Sequence, residues 1–565
     1  MPEPSASSQR ARDVLAAALA SGVRHLVVSP GARSQALALE AAALADAGLA
    51  TLHVRTDERG AAFFALGIGR ESGIPAVVIT TSGSAVANLL PAVVEAHHAG
   101  VPMLILSADR PASMRASRAN QTTLHVPMLE AFVRESVDVE PAQFGSDGLA
   151  RPVDVDRLLA VSRGVAPGAD GQLSAGPVHL NLQFVEPLSG PAAAATEPHT
   201  RSWSVPAAQS TPVEVGLRTL VIAGAGAGEA AEQFARDLDA PLIAEVCSGA
   251  HFGPNLVVPY RRLLRLGEFA ETVERVVVFG TPTLSREVAG LCRSVPELLV
   301  VDSPGADRYR PAGREVEAIS VAAVTATGAP GPELAEWRSI WVAAGRKLLS
   351  EAHQDLPVLP NGVGRDGHVD EFAAQRAFLA NELAAIRAPI TRESLVSAVW
   401  DATWPRDRLV FGASRLIRVA DAILPGKRVS VSANRGLSGI DGTVSTALGI
   451  SAANPEGLTR VILGDLAALH DVTALQLTPG EPFPQLQVIV GNDRGGTIFT
   501  GLEVAATADP GAFERVQLTP HDVDFAALAA AYGWEFERVR DVGALGQALT
   551  TRTERPKLIE VPLEG

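Results

Sequence analysis

Residues 459–499 read TRVILGDLAALHDVTALQLTPGEPFPQLQVIVGNDRGGTIF, and their pattern decides the fold. Two β-branched apolar runs, RVIL and LQVIV, each stop at a short polar turn, GDLAALHD and GNDRGGTIF. Neither run alternates polar with apolar residues, so each reads as a strand buried on both faces, as in parallel sheets covered by helices. In such sheets ligands bind outside the carboxyl ends of the strands, which is where both polar turns fall.

Asp465 and Asp493 lie 28 residues apart, one in each turn, and are expected to meet across one crevice and ligate a hard cation. Mg²⁺ prefers one or two carboxylates, a carbonyl and phosphate oxygens, and Gly495 offers the carbonyl in a loop that tolerates close approach. The helix N-termini after each turn would help hold a diphosphate. Taken alone, two unrelated acidic turns would read the same way.

Working outward, RLVFGAS, RVSVSAN and KLIEVP complete a third α/β unit, and the alternation occurs twice more upstream. The first unit contains RHLVVSP, TLHVRT, PAVVIT, PMLILSA and GPVHLNLQFVEPL, separated by helical stretches such as DERGAAFFALGIGRES. The middle unit contains LRTLVIAGAGAG, RVVVFGTP and ELLVVDSPG. Its Gly224, Gly226 and Gly228 have the third glycine one residue too early for a dinucleotide fingerprint, so they read as an ordinary tight turn. A Pro/Ala/Ser/Thr-rich stretch near 190–210 reads as a linker, SEAHQDLPVLPNGVGRDGHVD at 350–370 as a second, and a helical stretch follows around 371–402. The expected fold class is therefore α/β, with three doubly wound domains and mainly parallel sheets, at 1–190, 210–355 and 371–565.

Composition agrees with that architecture. A chain of 565 residues exceeds one core at about 100–200 residues per domain, and 47% hydrophobic with only 5% aromatic residues means a core of Ala, Val and Leu. A formal charge of −15 argues against a nucleic-acid scaffold and for a small-molecule partner. Two cysteines, Cys247 and Cys292, are too few for a disulfide framework and suit a reducing cytoplasm. The opening MPEPSASSQRARDVLAAALASG imitates a signal peptide, but its apolar run is short and reads better as a first amphipathic helix; no stretch reaches the length of a membrane span. Lysine occurs only at Lys347, Lys427 and Lys557, so 45 of the 48 basic residues are arginines and no single arginine is informative by itself.

The turn pair resembles the thiamine-diphosphate signature, in which Gly-Asp is followed about thirty residues later by an Asn-rich loop; here Asp493 stands where Asn is usual and Leu466 where Gly is frequent. Such enzymes need a glutamate that hydrogen-bonds the aminopyrimidine, and RTDERGAAFFALG places Glu58 after a strand at a helix start. The isolated residue would also suit a helix-terminus carboxylate. The series SPGARSQAL, DERGAAFFALG, TTSGSAVANLLPAVVEA, LSADRP, NQTTLH, GPVHLNLQFVEPL, SANRGLSGIDG, GDLAALHD and NDRGGTIF resembles, in this order, the motifs of the 2-succinyl-5-enolpyruvyl-6-hydroxy-3-cyclohexene-1-carboxylate synthase (MenD) family.

That resemblance implies thiamine diphosphate and Mg²⁺ as cofactors, with Mn²⁺ tolerated, and decarboxylation of 2-oxoglutarate followed by 1,4-addition to isochorismate in menaquinone biosynthesis. It implies an aminopyrimidine-binding, a central and a diphosphate-binding domain, and a homodimer or homotetramer with active sites between chains. Glu58 would activate the cofactor; Ser82, Gly83, Ile440, Gly464, Asp465, Leu466, Ile498, Phe499 and Leu502 would contact it, and Asp465, Asp493 and Gly495 would hold the metal. Each substrate carries two carboxylates, so bidentate arginines are required, and Arg33, Arg110, Arg286, Arg418 and Arg435 are the candidates, with Gln121 and Ser414 also in the pocket. Ala32 replaces a frequent Ser and Ser285 a Lys, which puts those contacts in question. His97, His98 and His125 read as structural histidines, because no motif residue pairs with them. Acetohydroxyacid synthases or 2-oxoacid decarboxylases would share Glu58 and Asp465 but need fewer arginines, and a non-catalytic regulatory relative would not need Glu58.

Overall fold

The computed structural model describes residues 5–115, 117–141, 153–169, 171, 173–190, 208–302, 309–314, 317–354, 380 and 383–564. Among the described residues three larger parallel sheets follow one another along the chain, with a fourth, two-stranded one in the middle region. The first contains β1 (His25–Val28), β2 (Thr51–Val54), β3 (Ala76–Thr80), β4 (Met103–Asp109), β5 (Ser136–Val139) and β6 (Pro177–Gln183), in the order β2-β1-β3-β4-β6-β5. The middle region pairs β7 (Ser210–Glu214) with β13 (Ala323–Thr327). Its main sheet has β8 (Thr219–Ala223), β9 (Leu242–Ala244), β10 (Arg275–Phe279), β11 (Glu297–Val301) and β12 (Ile319–Val321), ordered β12-β11-β10-β8-β9. The last sheet contains β14 (Arg408–Phe411), β15 (Ser430–Ala433), β16 (Thr459–Gly464), β17 (Leu486–Asn492), β18 (Glu535–Arg538) and β19 (Lys557–Pro562), ordered β15-β14-β16-β17-β19-β18.

Every strand that the sequence predicts is present, and each is paired in parallel, as continuous apolar runs require. The first and last sheets share one strand order, each strand of one having a counterpart in the other. The helices that follow the counterpart strands β2 and β15, Glu58–Ser72 and Thr443–Ala453, pack directly together. Glycine permits this contact: a Cβ at Gly449 would lie 1.9 Å from the Phe64 carbonyl, and one at Gly67 2.1 Å from the Thr446 carbonyl. Through these helices one apolar core runs from Val78 and Ile105 of the first sheet to Val461 and Val488 of the last.

The expected first helix is Ala6–Ala20, its Ala11, Val14, Leu15 and Leu19 buried on one face. Among the described residues no helix is long and apolar enough to cross a membrane. The stretch 191–207 of the first linker and 355–370 of the second lie outside the described residues, as do 371–379 of the helical stretch; the remainder of that stretch includes the helix Arg392–Ala402. Residues 350–353, assigned above to the linker, instead end the helix Pro332–His353, whose apolar face, including Trp337 and Trp341, is buried in the middle unit's core.

Candidate active site

The two motif turns of the last sheet converge as expected. Strands β16 and β17 are neighbours in register, Gly464 opposite Gly491, so Asp465 and Asp493 emerge side by side. The Gly495 N–H donates to Asp465 Oδ2 at 2.8 Å, which ties the second turn to the first carboxylate. Only glycine fits at 495, because a Cβ would stand 2.4 Å from the Leu518 carbonyl. Asp465 is 1% exposed; burial holds its carboxyl above the usual range, with Asp493 adding to the effect, against the Leu466 N–H and His521. His521 Nε2 lies 3.0 Å from Asp465, while Arg392 donates to Asp493 at 2.8 Å and Thr497 Oγ1 also reaches that carboxylate.

This donor set fits a hard divalent cation. Asp465 is buried beside a second carboxylate that raises it further, which a divalent cation would relieve, and a glycine turn beside them presents backbone at close range. Among the described residues no cluster of three His, Cys, Asp or Glu side chains could hold a metal unaided. Further oxygens must therefore come from carbonyl, phosphate or water, which is the set that Mg²⁺ favours over a caged protein site.

The first sheet assembles a second group at the carboxyl ends of its strands. Glu58 begins the helix Glu58–Ser72, capped by Asp57, and its Oε2 accepts from Asn88 at 3.0 Å. Arg110, after β4, donates to Ser82 Oγ at 2.8 Å and to the Gln121 carbonyl at 2.9 Å; the Gln121 amide donates to the Ser82 carbonyl at 2.8 Å. Gly83 and Gln121 line a cleft of about 420 Å³. Arg33 donates to the Phe184 carbonyl at 3.5 Å, and burial together with Arg110 lowers its guanidinium, against Glu186 and Asp109.

His125 corrects one expectation, because it does pair with a motif residue. The Gly83 N–H donates to His125 Nε2 at 3.0 Å, so the ring carries its proton on Nδ1, which faces Asn181 Oδ1 at 2.9 Å. His125 is 1% exposed and fixes the backbone of the Ser82–Gly83 turn. Its partners are a backbone amide, an asparagine 56 residues away and, at 3.4 Å, the Asp109 carboxylate, residues of three separate motifs whose meeting only the fold reveals.

A third group surrounds a cavity of about 650 Å³ that includes Arg286, Arg418, Ile498, Phe499 and Leu502, all expected, together with Arg415, which was not. Arg415 and Arg418 occupy the first turn of the helix Arg415–Ile423, and Ser414 precedes it without capping it. Arg418 donates to the Ser414 carbonyl at 2.8 Å, and Arg415 to the Thr497 carbonyl at 3.4 Å. Burial lowers both guanidiniums, and so do neighbouring arginines, Arg392 for Arg415 and Arg435 for Arg418. Such crowding of positive charge favours an anionic occupant. Among the described residues Arg286 pairs with Glu503, at 3.5 Å, with both side chains over 80% exposed, a pair too solvated to neutralise it. Ser285, in place of a Lys, caps the helix Arg286–Ser294 by accepting from the Val288 N–H.

Arg435 stands behind this cavity. It is 5% exposed and donates to Thr283 Oγ1, a residue of the cavity wall, at 2.9 and 2.5 Å. Ile440 is 39% exposed, and among the described residues no hydrogen bond or ion pair joins Glu58, Arg33, Arg110 or Gln121 to Asp465 or Asp493.

Comparison with known proteins agrees with this division. Residues 9–128 match the thiamine pyrophosphate enzyme, N-terminal TPP binding domain, and residues 422–561 the C-terminal TPP binding domain of the same enzymes. Curated relatives named 2-succinyl-5-enolpyruvyl-6-hydroxy-3-cyclohexene-1-carboxylate synthase include proteins of Leifsonia xyli, 49% identical over 98% of this chain and 95% of the relative, and Clavibacter michiganensis, 49% identical over 99% and 96%. Another, from Kineococcus radiotolerans, is 43% identical over 96% and 92%.

Proposed function

This chain belongs to the family of 2-succinyl-5-enolpyruvyl-6-hydroxy-3-cyclohexene-1-carboxylate synthases, and from that premise we propose that it decarboxylates 2-oxoglutarate and adds the succinyl unit to isochorismate, using thiamine diphosphate. The observation that carries the cofactor reading is the Gly495 to Asp465 hydrogen bond, which draws both motif turns of the last sheet to one point.

Asp465, Asp493 and the Gly495 carbonyl would hold Mg²⁺, or Mn²⁺ in its place, with Gly464 and Leu466 in the same turn as cofactor-binding residues. Thiamine diphosphate, when bound, supplies the nucleophilic carbon and the electron sink for decarboxylation. Glu58 would hold the proton exchanged with the aminopyrimidine, and Asn88 fixes its carboxylate through Oε2. Ser82 and Gly83 present the backbone edge that His125 and Gln121 keep in place. Arg33, Arg110, Arg286 and Arg418 orient substrate carboxylates, and Arg435 and Ser414 support that set from the loops beside it. Ile498, Phe499 and Leu502 form an apolar wall that excludes water, and Ile440 props the cofactor. Catalysis then rests chiefly on positioning.

Leu124, Leu437, Ile440 and Leu502 are 61, 55, 39 and 38% exposed on the motif loops, an apolar set suited to burial against a second copy of the chain. A homodimer, or a tetramer of two such pairs, would join the Glu58 group of one chain to the Asp465 group of another. Two free, buried cysteines are in keeping with a cytoplasmic enzyme.

The test is product formation from 2-oxoglutarate with isochorismate, compared with pyruvate alone, alongside titration of thiamine diphosphate with and without Mg²⁺. Turnover of pyruvate and not 2-oxoglutarate, or cofactor binding indifferent to metal, would refute the reading.

A further inference from the structure

One wall of the arginine-lined cavity hangs from a buried carboxylate that no motif marks. Glu245 follows β9 and is 1% exposed. Its Oε1 accepts from the N–H groups of Thr283 and Leu284, both at 2.6 Å, and both residues line the cavity with Arg286. Arg435 grips Thr283 from the other side through its hydroxyl. The loop is pinned at its start as well, since Thr281 and Ala225 exchange backbone hydrogen bonds at 2.9 and 3.1 Å. Two atoms of this arrangement, Glu245 Oε2 and Arg435 Nη1, are buried without a hydrogen-bond partner among the described residues. Buried polar atoms are almost always satisfied, so two unsatisfied groups of opposite character at one wall call for an explanation.

Taking the cavity as the substrate site proposed above, we propose that Glu245 is a positioning residue for the reaction, its carboxyl group holding the loop Thr283–Arg286 at the distance from Arg435 that substrate binding requires. Burial, with Asp421 adding to it, pushes this carboxyl up to about 8, against the Leu284 and Thr283 amides and Arg435. The ionisable groups around it are Asp421, which binds Tyr260 and Arg261, and Cys247, Tyr309, Arg418 and Arg435. With its carboxyl raised, Glu245 keeps its proton to higher pH than an exposed carboxylate and while protonated accepts the two amide hydrogen bonds as a neutral group. As pH rises through about 8 the proton passes to solvent, the anion attracts Arg435, and Thr283 moves with it.

The sign for stability is fixed. Between 4.5 and about 8 only the unfolded chain gives up this proton, so the fold loses stability as pH rises across that window. Glu245→Gln removes that slope.

The experiment is a pH profile of kcat and KM with cofactor, metal and isochorismate saturating and 2-oxoglutarate varied. The wild-type enzyme should lose kcat/KM for 2-oxoglutarate along a limb centred near pH 8. Glu245→Gln keeps an acceptor for both amides and should stay within about threefold at pH 7 while losing the limb. Glu245→Leu leaves both amides unpaired and should raise KM about tenfold at every pH, with thiamine diphosphate affinity unchanged. A flat wild-type profile, a limb that persists in Glu245→Gln, or a Glu245→Leu enzyme with wild-type KM overturns the proposal. Should Glu245→Leu fail to fold, the glutamine profile decides alone. Inactivity of the wild type with both substrates at every pH would instead refute the proposed function.

Discussion

The first and last sheets have the same strand order and carry opposite chemistry. Counterpart positions make the contrast sharp. After β3 the chain places Ser82 and Gly83, after β16 Asp465; after β4 it places Arg110, after β17 Asp493. After β1 come Arg33 and Ala32, after β14 Ser414 and Arg418; after β2 comes Glu58, after β15 Arg435 and Ile440. One scaffold thus fixes where functional residues emerge and says nothing about what they are. On the function proposed above, the first sheet would supply hydrogen-bonding and proton-holding groups, and the last a paired acidic centre to take metal and diphosphate.

If the division is real, the two halves must fail differently. The largest effect is expected for Glu58→Gln, which should lower kcat about 10³-fold while thiamine diphosphate affinity changes little, as steady-state kinetics and titration calorimetry together would show. Asp465→Ala should do the reverse, weakening metal-dependent cofactor binding about 100-fold, or roughly 2.7 kcal/mol, by calorimetry. A variant in either half that reproduced the other's signature would break the comparison. Gly449→Ala tests the seam between the halves: a Cβ 1.9 Å from a carbonyl must displace backbone, at a cost of about 2 kcal/mol in urea unfolding. The smallest effect is assigned to Arg415→Gln, about tenfold in KM for one dicarboxylate substrate, or roughly 1.4 kcal/mol, with cofactor affinity intact. A change in diphosphate affinity there would move Arg415 from the substrate to the cofactor.

The central strands were legible because Val, Ile and Leu runs such as VVIT and LQVIV permit little else. The strands missed lie at edges or in the small two-stranded sheet: β5, SVDV, and β18, EFER, are short and polar, since an edge strand needs no second buried face. Among functional residues, the meeting of the two motif turns was readable from their place after neighbouring apolar strands, whereas their assignment to a cofactor needed the resemblance. Arg415 was hidden by the abundance of arginine, and its role depends on the Thr497 carbonyl, 82 residues away. His125 and Glu245 act through backbone amides, which carry no sequence signal. The left-handed backbone of Gln121, φ 57°, in a side chain that had to be placed by resemblance, was equally invisible in the sequence.

The Gly67–Gly449 crossing has a further consequence for redesign. Because main chain meets main chain there, the spacing of the two helices is fixed by backbone as well as by the shared apolar core, and side-chain changes alone cannot close or widen it at that point. Turns at the strand ends can therefore be diversified to recruit other acceptors while the chassis holds still, provided those two positions are left out of the randomised set.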